Sequence, residues 1–289
     1  MRLRWRMPVE VRERLTARCR PLLGTFVEIT VPEGFGAAID DAFAMIAHIH
    51  DRMSFHEPTS DLAVIRQAGP DQTIAVDRET VAVLRTAITL HETTNGLFDV
   101  AMAPKLVSGG FLPEDGIGRL EQFDGTTADI VIEDDTHIHL KRRALLDLGG
   151  IAKGYAVDRA VETLAERGVP YGLVNAGGDL RTFGPVDWQI GFRDADNVVR
   201  SQMTIRHCAV ASSANLLDRR LVRGILHSPH IGRDGEPVLS DKRTTVIADR
   251  CMIADAMTKV AMVDPDLADE LLAPFKGHVM RETIPLEPA

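Results

Sequence analysis

The chain has 289 residues, 45% of them hydrophobic and 26% charged, which suits a folded protein with a sizeable core and argues against disorder. Its formal net charge of −9 argues against a nucleic-acid partner, because a phosphate backbone selects a basic footprint. No apolar stretch of signal-peptide length follows the basic start, and no run of about 18 apolar residues occurs, so the chain reads as soluble and cytoplasmic, without a membrane span.

Residues 1–19 are charged, lack a clear period and read as an N-terminal extension; 20–289 read as one domain. The β-branched alternation from Gly24 to Val31 predicts a strand, ended by Pro32-Glu33-Gly34. Ile39, Phe43, Ile46, Ile49 and Met53 mark one face of a helix over 37–53, and Val81, Leu84, Ala87 and Leu90 mark a second. After a loop-rich stretch, residues 128–140 alternate as two short strands around Glu133-Asp134-Asp135, and Ala144–Leu148 reads as an apolar strand ending beside Asp147. Gly149-Gly150 break it. A helix follows from about Ile151 to Arg167, with Gly168 placed to end it. Tyr171–Asn175 is the next strand, closed by Ala176-Gly177-Gly178-Asp179. Strands near 189–192, 202–205 and 244–248 and a helix over 253–263 complete the series. Strands and helices are intermixed without a regular βαβ repeat, which gives an α+β class. Cys19, Cys208 and Cys251 form no CxxC and suggest no disulfide framework.

The chemistry concentrates at Asp147–Tyr155. Two glycines between a strand and a helix let the backbone approach a ligand, and the first-turn N–H groups and helix dipole favour an anion. Lys153 in that first turn opposes the dipole unless a bound anion answers it. The plain alternative is a tight turn with a solvated lysine. Neither G-x-G-x-x-G nor a Walker lysine is present. The second double glycine, with Gly177, Gly178 and Asp179, ends the neighbouring strand and would lie near the same edge.

Asp147-Leu148-Gly149-Gly150-Ile151-Ala152-Lys153-Gly154-Tyr155-Ala156-Val157-Asp158, followed by Asn175-Ala176-Gly177-Gly178-Asp179, resembles the central signature of the ApbE family. Leu23-Gly24-Thr25, Met53–Leu62, Asn95–Val100, Ala211-Ser212-Ser213 and Ala254-Asp255-Ala256 resemble further family segments in the right order, so the likeness spans about residues 20–265. The resemblance implies an ApbE-like (T-fold-like) fold of mixed sheets with packed helices. It implies FAD as substrate, magnesium at the diphosphate, and transfer of FMN to a Thr or Ser hydroxyl of a partner protein with release of AMP. It further implies flavin or nucleotide contacts from Leu23, His56, Leu97, Phe98, Asp99, Asp147 and Lys153, and metal ligation by the Gly150 carbonyl and Asp255. Asp255 would also position or deprotonate the acceptor hydroxyl. Phe98 is equally readable as a core aromatic.

Three departures qualify these implications. The family places a Thr four residues after the metal-binding acid; here that position is Lys259, and Thr258 stands one earlier. Both positions share the face of Asp255, so Thr258 is a candidate metal ligand while the Lys259 ammonium is expected to occupy or adjoin the magnesium position. Ile225 stands where the family has a histidine, and His227, two residues along, is the candidate substitute or a surface histidine. His56 replaces a phenol. The competing readings are a non-catalytic FAD-binding protein and an FAD hydrolase of the same fold. For a protein-ligated transition-metal site, His48 and His50 are two apart on a helix and point in different directions, and His137 and His139, on one face of a strand, lack a third ligand of recognisable spacing.

Overall fold

The computed structural model describes residues 4–6, 14–193, 198–216, 218–233 and 235–283. The first half runs β1 (Arg4–Arg6), β2 (Leu15–Leu22), β3 (Thr25–Pro32), α1 (Gly36–Met53), α2 (Asp61–Gln67), β4 (Gln72–Ala75), α3 (Arg78–Thr93) and α4 (Ala103–Ser108). Then come β5 (Ile130–Ile132), β6 (His137–Leu140), α5 (Ala152–Glu166), β7 (Gly172–Ala176), β8 (Asp179–Phe183), β9 (Trp188–Arg193), β10 (Val199–Ile205) and β11 (Ala209–Ser213). The last are β12 (Arg220–Val222), β13 (Ile225–His227), β14 (Lys242–Ala248), α6 (Cys251–Val263), α7 (Pro265–Leu272) and β15 (His278–Thr283).

An antiparallel sheet of seven strands, in the order β15-β14-β11-β8-β7-β3-β2, forms the frame. Both of its faces are covered. On one, α1, α5 and α6 bury Ile39, Phe43, Ile46, Val157, Leu164 and Val260 against Ile29, Val174 and Val246. On the other, the sheet β1-β9-β10 brings Trp188, Ile190 and Phe192 against Leu173, Leu180 and Val210. Each covered face removes apolar area from water at roughly 25 cal/mol per Å². Central β7 therefore reads Gly-Leu-Val-Asn-Ala, buried at every position rather than at alternate ones. The sheet β4-β6-β5 and the hairpin β12-β13 stand apart from this frame.

Two expectations change. Residues 15–19, assigned to an N-terminal extension, belong to edge strand β2, whose register runs from Leu15 opposite Pro32 to Leu22 opposite Thr25. Its middle residues are exposed, so no hydrophobic period announces it. Residues 1–3 and 7–13 of that extension lie outside the described residues. Ala144–Leu148 is buried but pairs with no strand; the Asp147 amide instead donates to the Val100 carbonyl at 2.8 Å. A short apolar run fits a buried extended segment as well as a strand. Among the described residues no helix is long and apolar enough to cross a membrane.

Candidate active site

The ends of β7 and β11, the Gly149-Gly150 turn, the first turn of α5 and the middle of α6 surround one cavity of about 880 Å³. Leu97, Phe98, Met102 and Leu106 supply an apolar wall, whereas Lys153, Asp179 and Lys259 form a charged floor. This combination of apolar wall and few convergent polar groups is typical of small-molecule sites.

The floor is a chain of alternating charges. Lys153 Nζ donates to Asp179 Oδ2 and lies 3.5 Å from Asp255 Oδ2. Lys259 Nζ donates to Asp255 Oδ1 and, at 3.0 Å, to the Asp255 carbonyl one helical turn earlier. Asp255 is fully buried. Burial by itself would push its carboxyl up; the charges of Lys153 and Lys259 outweigh that and hold it below the ordinary carboxylate range. Burial pushes Asp179 and Asp147 the other way, above that range. Lys153 is held protonated by Asp179 and Asp255 despite its own burial.

The glycines are explained by close approach. A Cβ on Gly154 would overlap the backbone carbonyl of Cys251, so this residue lets α5 and α6 touch. At that contact the Gly154 amide donates to Asp255 Oδ2 at 3.1 Å. Gly177, with φ of 67°, packs its Cα against Thr25 at the start of β3. Asp158 is the third device: its carboxylate accepts the Cys251 and Met252 amides at 2.9 and 3.0 Å and caps α6, while Arg181 pairs with it at 2.9 Å. These contacts fix the two lysine-bearing helices relative to each other.

The helix-terminus cradle expected from the sequence is largely closed. The Gly149 amide donates to Asp147 Oδ1, those of Ile151 and Ala152 to the Leu148 carbonyl, and that of Gly154 to Asp255. The positive charge facing the cavity therefore comes from side chains. Leu97, Phe98, Asp99, Asp147, Gly150, Lys153, Gly177 and Asp179 line the cavity, with Phe98 serving the core as well. Asp99 Oδ1 is held by the Ala101 amide at 2.7 Å and by the Thr127 amide and hydroxyl. His56 is exposed but close enough to Asp147 to favour its ionised form. Leu23 sits at the hairpin tip with φ of 56°, and the Gly178 amide is bonded to Asn175 Oδ1; neither side lines the cavity.

Two candidate residues lie outside the cavity lining. The Thr258 hydroxyl is fully buried, donates to the Asp255 carbonyl at 2.7 Å and pairs with Ser213 Oγ at 2.8 Å. His227 lies beside Gly109 on β13 and does not line the cavity. His230, used in the sequence only to align its segment, lines the cavity instead. Burial, followed by the charges of Lys259 and Lys153, drives its imidazole down to about 3, and its Nδ1 has no hydrogen-bond partner among the described residues. Arg219 and Arg243, also missed, border the same cavity; one stands in a loop and the other near the start of β14, and isolated arginines carry no local signature.

Both carboxylate oxygens of Asp255 are engaged by donors of the chain itself. Lys259 holds one oxygen of Asp255, and Gly154 with Lys153 faces the other. Among the described residues no group of three or more His, Cys, Asp or Glu side chains could hold a metal. His48, His137 and His139 face Asp77, Asp134 and Asp71, respectively.

A helix pair packed closely at Gly154 and presenting cations to a half-apolar cavity defines a ligand site of nucleotide size on an α+β frame. The ApbE family profile matches residues 23–279, and the chain belongs to this family. It is 27% identical over 239 residues to an FAD:protein FMN transferase of Vibrio cholerae, covering 76% of this chain and 71% of that protein. An FAD:protein FMN transferase of Chlamydia pneumoniae is 26% identical over 268 residues, covering 86% and 82%. The crystal structure of an ApbE protein from Thermotoga maritima superposes with a TM-score of 0.81 at 24% identity, covering 93% of this chain and 97% of that one. The flavin transferase ApbE of Vibrio cholerae gives 0.77 at 23% identity, covering 94% of each chain.

Proposed function

We propose that this chain transfers the FMN half of FAD to a Thr or Ser hydroxyl of an acceptor protein and releases AMP. The observation that carries this reading is the cavity itself: an apolar wall at Leu97 and Phe98 stands beside an ammonium pair, Lys153 and Lys259. An isoalloxazine or adenine ring suits the first and a diphosphate the second. Membership of a family with relatives named FAD:protein FMN transferase selects FAD among such ligands.

In the transfer, the acceptor oxygen attacks the FMN phosphorus as the anhydride P–O bond breaks. AMP leaves with the bonding pair, and the hydroxyl proton is released to solvent. Such transition states are loose, so positioning and charge stabilisation carry most of the rate. Lys153 and Lys259 would face the oxygens on which charge accumulates. Asp255 acts through them: buried and held ionised by both lysines, it positions cations rather than removing a proton. Asp147 and His230 border the same space.

Purified protein incubated with FAD and the acceptor of a family relative should release AMP and leave covalent flavin fluorescence on the acceptor after denaturation. AMP with free FMN would identify a hydrolase, and FAD recovered intact would identify a binding protein; either result contradicts the transfer reading.

A further inference from the structure

We propose that Lys259 is this chain's own substitute for a divalent cation, so that the site handles the FAD diphosphate without a bound metal. The inference deepens the flavin-transfer reading and rests on it for the identity of the diphosphate.

Three observations carry it. First, Lys259 Nζ lies on Asp255 Oδ1 and, at 3.0 Å, on the carbonyl of the same residue, the two oxygens of Asp255 that face this ammonium. Second, its side chain passes under the glycine turn: a Cβ on Gly150 would stand 3.4 Å from Lys259 Cε, so the ammonium arm fills the space between the turn and Asp255. Third, several of the oxygens a cation could recruit nearby are engaged. Asp255 Oδ2 takes the Gly154 amide, Asp179 takes Lys153, and the Thr258 hydroxyl is turned to Ser213 and the Asp255 carbonyl. A divalent ion entering here would have to displace Lys259 and sit beside Lys153, gaining repulsion from two ammonium groups and few ligands. Hard oxygen-binding cations require the reverse, several anionic oxygens converging on one point.

Lys259 also satisfies the chemical requirement. Lys259 lines the cavity and carries three rotatable donors on a flexible stem, and a compact ammonium serves as a point charge for phosphate oxygens. The exchange has a consequence. A monovalent charge draws less electron density from the leaving phosphate than a divalent one, so Lys259 supplies positioning and partial neutralisation rather than strong polarisation.

The test uses the full chain with FAD, with and without chelator, and Mn²⁺ alone as the metal probe. The native protein should show no saturable Mn²⁺ binding by electron paramagnetic resonance, and AMP release in EDTA should stay within about twofold of that in magnesium. Lys259→Thr should acquire saturable Mn²⁺ binding that is lost again on adding Asp255→Asn, and its AMP release should become EDTA-sensitive. Lys259→Met, with native melting behaviour confirmed by circular dichroism, should lose about 100-fold in AMP release, with no rescue by magnesium. Native protein that binds Mn²⁺ through Asp255, equally well with Lys259 or Thr at this position, would overturn the inference. So would a native rate abolished by EDTA and restored by magnesium. If native protein releases no AMP under any condition, the transfer reading fails, and the Mn²⁺ comparison alone decides whether Lys259 holds the cation position.

Discussion

At the scale of single residues, the site is a set of charges that depend on one another. Lys153 answers two buried carboxylates, Asp179 and Asp255, and is itself only partly open to the cavity. Lys153→Met leaves Asp179 without its cation. The expected loss is about 2–4 kcal/mol of unfolding free energy, somewhat below the range for breaking a fully buried pair, read from urea denaturation. His230 provides a pH signature. Its imidazole lies near 3 instead of the ordinary 6.5, so the folded protein refuses a proton that the unfolded chain accepts. The sign follows: this contribution to stability is complete above pH 6.5 and is lost as pH falls from 6.5 towards 3. Native protein should therefore lose more stability between pH 7.5 and 5 than His230→Phe does, when both are compared by denaturant midpoint. Equal losses would remove His230 from the account.

Among the elements, the contact of α5 with α6 sets the geometry of the floor. Gly154→Ala would ordinarily gain roughly 1 kcal/mol of helix propensity. Here the new methyl meets the backbone carbonyl of Cys251, which cannot turn aside as a side chain could. Destabilisation by about 3 kcal/mol, with weakened FAD binding, is expected from the forced separation of the helices. A neutral or stabilising result in thermal unfolding would contradict this packing. The motif around Gly154 was legible in the sequence because glycines, lysine and acids are discrete signals at fixed spacing. Their division of labour was not. Asp158 caps α6, and Tyr155 bonds Glu79 at 2.7 Å. Asp61 holds the Asp77 amide at 2.8 Å along with Thr80. These acids and this phenol support the frame, and only the folded chain distinguishes such support from ligand contact. Elements escaped notice for a related reason. Helices with one buried face, such as α1 and α3, announce themselves; β2 is an exposed edge, and β11, Ala-Val-Ala-Ser-Ser, is buried on nearly every residue, so neither alternates.

For the whole molecule, the seven-stranded sheet separates a layer that carries the site from one that does not. Trp188 is fully buried in the second layer, among Leu173, Ile190 and Val210. Trp188→Ala should cost about 3–5 kcal/mol of stability yet leave FAD affinity unchanged in the fraction that stays folded, as measured by calorimetry below the transition. The cavity, by contrast, is assembled from segments spread from Leu97 to Lys259, so its existence depended on the topology more than on any single motif. The proposed function requires this cavity to hold FAD by its diphosphate against Lys153 and Lys259. Parallel equilibrium titrations of FAD and riboflavin against native protein and the Lys153→Met/Lys259→Met variant test it most directly. FAD should bind native protein at least about tenfold tighter than riboflavin does, with that advantage abolished in the variant. Equal affinity for the two flavins in native protein, or an FAD preference that survives the loss of both lysines, would contradict it.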